Sequence, residues 1–125
     1  MIFDTDVIVW ALRGNKRATS AIDSAESLEI SVISYMELLH GARDKKDLRL
    51  TKAYLTDLGF QIVPLSENIG HRASIYLEEY GLKSNLGVPD ALIAATAVEN
   101  DNVLCSGNAK DYRDIAEVEL KVFRP

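Results

Sequence analysis

The chain has 125 residues, 47% of them hydrophobic and 26% charged, with a formal net charge of −5; this is enough to bury one core, and it excludes a disordered chain or two independent cores. An acidic balance argues against a general basic surface for gripping nucleic acid, although carboxylates that hold cations count as negative until the metal is added. The single cysteine, Cys105, rules out an internal disulfide, and the absence of CxxC or HExxH spacing speaks against a zinc site.

Short apolar runs of strand length alternate with longer stretches of helical period. In chain order, a strand at residues 2–3 is followed by helical stretches at 7–12 and 18–25, and a strand at 28–32 by helices at 35–42 and 48–58. A third strand at 60–63 leads into helices at 69–80 and 89–99, and strands at 103–105 and 120–123 close the pattern. No repeat or Pro/Gly-rich linker interrupts it, so residues 1–125 read as one unit. The apolar stretches fall short of a bilayer span, and the N-terminus has no basic run before its apolar segment. With a lone cysteine suited to a reducing compartment, the expectation is a cytoplasmic protein without a membrane segment. Strands separated by helices of this length predict a five-stranded parallel sheet covered on both faces, a three-layer α/β/α sandwich. In such sheets, ligands bind beyond the carboxyl ends of the strands.

Acids follow the strands at that edge. Asp4 ends the first apolar run, where burial of a carboxylate is costly unless it is paired or bound to a cation. Asp6, two residues on, reads better as the cap of the next helix. Ser34 and Glu37 have capping-box spacing, which by itself accounts for Glu37. Asp90 follows Pro89 at a helix start, where an acid also suits the helix dipole. Ser106, Asn108 and Asp111 follow the fourth strand, with Asn108 placed as N-cap and Asp111 three residues beyond it. Each acid has an ordinary capping explanation, but parallel βα units would carry all of them to one edge. There, unpaired carboxylates would repel one another unless a hard divalent cation lay among them.

His40 and His71 read as surface or packing residues, and Cys105 as a small core side chain. Arg13, Lys16 and Arg17, with Arg43, Lys45, Lys46, Arg49 and Lys52, read as solvated helix faces.

Phe3-Asp4-Thr5-Asp6-Val7-Ile8, the segment from Ser34 to Gly41 containing Glu37, Pro89-Asp90-Ala91-Leu92-Ile93-Ala94-Ala95-Thr96-Ala97, and Ser106-Gly107-Asn108-Ala109-Lys110-Asp111-Tyr112 together resemble the PIN domain, and more narrowly the VapC toxins of type II toxin–antitoxin modules. The resemblance covers nearly the whole chain in order. It implies an endoribonuclease dependent on one or two Mg²⁺ or Mn²⁺ ions, with Asp4, Glu37, Asp90 and Asp111 as catalytic metal ligands. Asp6, Ser106 and Asn108 would support them. It also implies an RNA substrate, a homodimer and a cognate antitoxin, for which Leu38, Leu39, Leu48, Tyr54 and Leu55 could supply a groove, although at least half of them are expected in the core. Two positions depart from the family pattern: Asp6 stands where Asn or Ser is usual, and Cys105-Ser106-Gly107 where Thr and a basic residue are common. Two rival readings are a phosphatase of the haloacid dehalogenase type, with Asp4-Thr5-Asp6 as its nucleophile motif, and a non-catalytic interaction domain. The first lacks the Gly-Asp-x-x-x-Asp element it requires.

Overall fold

Consecutive residues of a strand face opposite sides of a sheet, and Ile2 and Phe3 divide the interior in this way. In the computed structural model, which describes residues 1–125, β1 (Ile2–Phe3) is the central strand. It lies between β2 (Glu29–Ser31) and β4 (Leu104–Ser106), with β3 (Gln61–Val63) and β5 (Leu120–Val122) at the edges, in the order β3-β2-β1-β4-β5. All four pairings are parallel, and Ile2 lies opposite Leu104 and Phe3 opposite Cys105. The five strands expected from the sequence are all present, each within one or two residues of its predicted bounds.

The pleat assigns the strand side chains to two apolar layers. Ile2 and Leu104 pack with Ile69, Ala73 and Tyr76 of α5 (Glu67–Tyr80) and with the alanines of α6 (Val88–Glu99). On the other face Phe3, Ile30 and Cys105 meet α1 (Thr5–Leu12), α2 (Lys16–Ser24), α3 (Val32–His40) and α4 (Lys45–Leu58) through Val7, Ile8, Ile22, Leu38 and Leu55. Burial of each such Ile, Leu or Phe side chain contributes about 1.5–3 kcal/mol. The outcome is the three-layer α/β/α arrangement with a parallel sheet. Of the five residues considered for a partner groove, Leu38 and Leu55 are buried, Tyr54 packs against the core, and Leu39 and Leu48 are half-buried.

Two helix starts differ from expectation. The chain turns into α3 at Ser31, whose hydroxyl accepts from the Ile33 N–H at 3.0 Å, three residues before the predicted Ser34 cap. Ser34 is therefore inside the helix and fully buried, and the Ser34–Glu37 capping box does not form. Val32 and Ile33 are helical despite being β-branched, because the cap follows directly on the last strand residue and tertiary packing overrides their propensity. At α1 the cap is Asp4 rather than Asp6: Asp4 accepts from the Thr5 N–H at 2.8 Å, and Asp6 lies within the first turn. Asp4 already occupies the last extended residue, so the helix starts immediately after it.

On the α5–α6 face, Arg72 pairs with Glu99 at 2.9 Å and also with Glu117, which accepts from the Tyr76 hydroxyl at 2.8 Å. This clamp ties both helices to the segment leading into β5. Ala91, Ala94 and Ala95 are fully buried in the layer that α6 shares with α5, Ile2 and Leu104. Replacing Ala94 by Leu overpacks this contact, and the expected cost is about 1–3 kcal/mol, read as a lowered midpoint in urea unfolding.

Candidate functional site

The β1–β4 register places the residues just beyond the two strands side by side. The Asp4 N–H donates to the Cys105 carbonyl at 2.9 Å, and the next side chain on β4, Ser106, donates its hydroxyl to Asp4 Oδ2 at 2.7 Å. Asp4 is 3% exposed. Burial of a carboxylate this deep requires donors, and it has three: the Thr5 N–H, the Ser106 hydroxyl and the Tyr112 hydroxyl at 3.0 Å.

Tyr112 belongs to α7 (Ala109–Tyr112), a single turn that follows β4. Its hydroxyl also lies 3.3 Å from Asp90 Oδ1, so one O–H stands between two carboxylates and its single proton can serve only one of them at a time. Burial and the two flanking carboxylates push the Tyr112 phenol far above its ordinary range and keep it a donor. Asp90 sits at the start of α6, where Oδ2 accepts from the Gly87 N–H at 3.4 Å. Burial raises the Asp90 pKa, the Gly87 bond opposes this, and the charges of Asp4 and Asp111 add to the rise.

Asp6 accepts from the Gly107 N–H at 2.9 Å. Its pKa is raised from the usual 3.8 to about 6, first by burial and then by Asp4, against the backbone N–H bonds that lower it. A Cβ at position 107 would lie 2.4 Å from Asp6 Oδ2, so glycine there is what lets the chain approach this carboxylate. Three buried side-chain oxygens have no hydrogen-bond partner: Asp6 Oδ1 and Asp111 Oδ1 among these acids, and Ser34 Oγ inside α3.

The fold thus gathers Asp4, Asp6, Asp90, Asp111 and Ser106 at the carboxyl edge of the sheet. Glu37 joins them more loosely: it is exposed, and the Thr5 hydroxyl donates to its Oε1 at 2.7 Å. Asn108 precedes α7, but its side chain forms no cap bond and holds none of the acids. Its backbone N–H instead donates to the Ser106 hydroxyl at 2.9 Å. Thr5 and Tyr112 are contributors that the sequence did not single out. A threonine between two aspartates and a tyrosine after Asp111 were the only available signals, and neither indicates where its hydroxyl points. Every ion pair of the molecule lies elsewhere, at Met1–Glu29, Arg43–Asp47, Arg72–Glu99 and Arg72–Glu117, so no Lys or Arg neutralises the cluster. No three acidic, His or Cys side chains close into a ready-made metal cage; hydroxyl groups stand between the carboxylates instead. The donor set is nevertheless all oxygen, anionic and without a counter-cation, with two carboxylate oxygens unsatisfied, which is the chemistry that fits a hard divalent ion.

A profile of the PIN domain matches residues 1–118. The chain is 32% identical over 126 aligned residues to the Ribonuclease VapC of Rickettsia bellii, covering 96% of this chain and 93% of that one. Among solved structures it is similar to a toxin–antitoxin complex from Klebsiella pneumoniae, with TM-score 0.80 and 30% identity over 94% of this chain and 93% of that chain. VapBC-1 of Haemophilus influenzae shares the fold at TM-score 0.81 and 21% identity, covering 98% of each chain.

The Asp6 shift gives a pH dependence in metal-free protein. Folding favours its neutral form, so the stability contributed is fully present below the usual 3.8 and is lost as pH rises through about 6. Asn keeps the oxygen that accepts from Gly107 but carries no charge. Across that window the thermal midpoint of Asp6→Asn should therefore rise relative to the parent chain, measured in EDTA; parallel curves would show that Asp6 titrates normally.

Proposed function

The chain belongs to the PIN-domain family, in its VapC branch, and we propose that it is a divalent-metal-dependent endoribonuclease acting as the toxin of a type II toxin–antitoxin pair. The observation that carries this reading is the buried Asp4 carboxylate joined to Asp90 through Tyr112, among further acids, with no cationic side chain beside them. Asp4, Asp90, Glu37 and Asp111 are the residues that would hold one or two Mg²⁺ or Mn²⁺ ions, and Asp6 would support them. When bound, such an ion lowers the pKa of water and neutralises charge that builds on a phosphodiester during hydrolysis.

The chain's own side chains hold the arrangement. Ser106 and Tyr112 fix Asp4, the Gly87 N–H orients Asp90, and Thr5 restrains Glu37. Orientation of this kind lowers the cost of assembling reacting groups. Hydrolysis by an in-line water leaves a 5′-phosphate and a 3′-hydroxyl. An antitoxin segment would occupy the cavity of about 430 Å³ between α1, α3 and α4, where Val9, Leu12, Arg13 and Leu38 lie beside Glu37. We also read the chain as a homodimer working in the cytoplasm.

The purified protein is expected to cleave RNA with Mg²⁺ or Mn²⁺ and to stop in EDTA. Asp90→Asn should lower kcat/KM by about 10²–10⁴-fold, the equivalent of several kcal/mol of charge stabilisation. Mn²⁺ should raise the thermal midpoint of the parent chain and raise that of Asp90→Asn less. Undiminished cleavage by the variant would remove the proposal.

A further inference from the structure

The acidic cluster has a basic neighbour. A shallow depression of about 400 Å³ opens between the α5–α6 loop and α7, lined by Lys83, Ser84 and Asn85 from the loop and by Lys110, Arg113 and Asp114 at α7. Three cations and one acid make this surface net positive in a chain whose total is −5. None of the three cations enters an ion pair, whereas Arg43 and Arg72 do. All three are exposed.

The position follows from the same turns that build the acidic site. In α7, Asp111 and Tyr112 are half-buried and buried, with Tyr112 between Asp4 and Asp90. Lys110 and Arg113, three residues apart, share the outward side of that turn. On the facing loop, Ser84 is fully engaged: its hydroxyl donates to the Tyr80 carbonyl and accepts from the Leu86 N–H. This fixes the loop that carries Lys83 just ahead of Gly87, the residue that orients Asp90. Cations carried by the same turn as Asp111 and by the loop that leads to Asp90 suit a polyanion whose one phosphate is at the carboxylates while adjoining phosphates extend outward. The lining is almost wholly polar, with Leu82 the only apolar side chain and no aromatic surface on which a base could stack.

We infer that Lys83, Lys110 and Arg113 form a binding site for the phosphodiester backbone of single-stranded RNA next to the bond that is cut. This rests on the nuclease reading for its substrate. Contacts to phosphate position the strand without reading its sequence. Asp114, within the same depression, limits its net charge and hence its grip.

The test is equilibrium binding of a fluorescein-labelled single-stranded oligoribonucleotide to the Asp90→Asn chain in EDTA, measured over a range of salt. Adding Lys83→Gln, Lys110→Gln and Arg113→Gln should flatten the plot of log affinity against log salt by about 2, at roughly 0.7 per phosphate contact on a single strand. The loss should be equal for oligonucleotides of different sequence. Lys16→Gln with Arg17→Gln, which removes exposed charge beyond the far end of α1, should leave the slope as it was. An unchanged slope in the triple variant, an equal change per charge in the control, or no binding at all would overturn the site. Cleavage by the parent chain with Mg²⁺ is scored separately, so an inactive protein that still shows the salt effect would sink the nuclease reading and not the basic site.

Discussion

A negative charge placed where water cannot reach it is the constraint around which this molecule is organised. Asp4 terminates the central strand, and its carboxylate is kept by three donors drawn from three parts of the chain: the first turn of α1, the end of β4 and the turn of α7. Remove the β1–β4 register and Ser106 no longer meets it; remove α7 and the bridge to Asp90 is gone. Burying a charge with hydrogen bonds but no opposite charge is unfavourable for stability alone. An arrangement like this stores a demand for positive charge, and the fold supplies none from its own side chains.

The two apolar layers make that demand possible. Because Ile2 and Phe3 face opposite ways, each secures one layer of helices, and the strand between them is covered completely. The residue that follows must then leave the sheet at a point shielded from both sides. The start of α6, buried through its alanines, carries Asp90 to the Tyr112 hydroxyl at this point, and Gly107 leaves room for Asp6. The site is thus assembled from small residues as much as from acids.

Much of this was legible in the sequence. The alternation of short apolar runs with helical periods located all five strands, and the acids after them pointed to one edge of a parallel sheet. The helix starts were less legible, because Ser31, Ser34, Asp4 and Asp6 are all competent caps and only the exact strand end selects between them. Glu37 was expected alongside the aspartates but stands exposed and reaches them only through Thr5. Tyr112 was the largest omission: pattern reading classes it as an apolar side chain, and its burial agrees, but the chemistry lies in the one polar atom at its tip.

The hydrogen bond between Asp4 and Tyr112 spans 108 positions of sequence. Asp4 and Asp6 are thus held by Ser106, Gly107 and Tyr112, groups that no local segment of the chain can supply. A chain clipped ahead of α7 therefore carries Asp4, Asp6 and Asp90 without the Tyr112 hydroxyl that stands between Asp4 and Asp90. The geometry of these acids is therefore a property of the whole fold and of no shorter stretch within it.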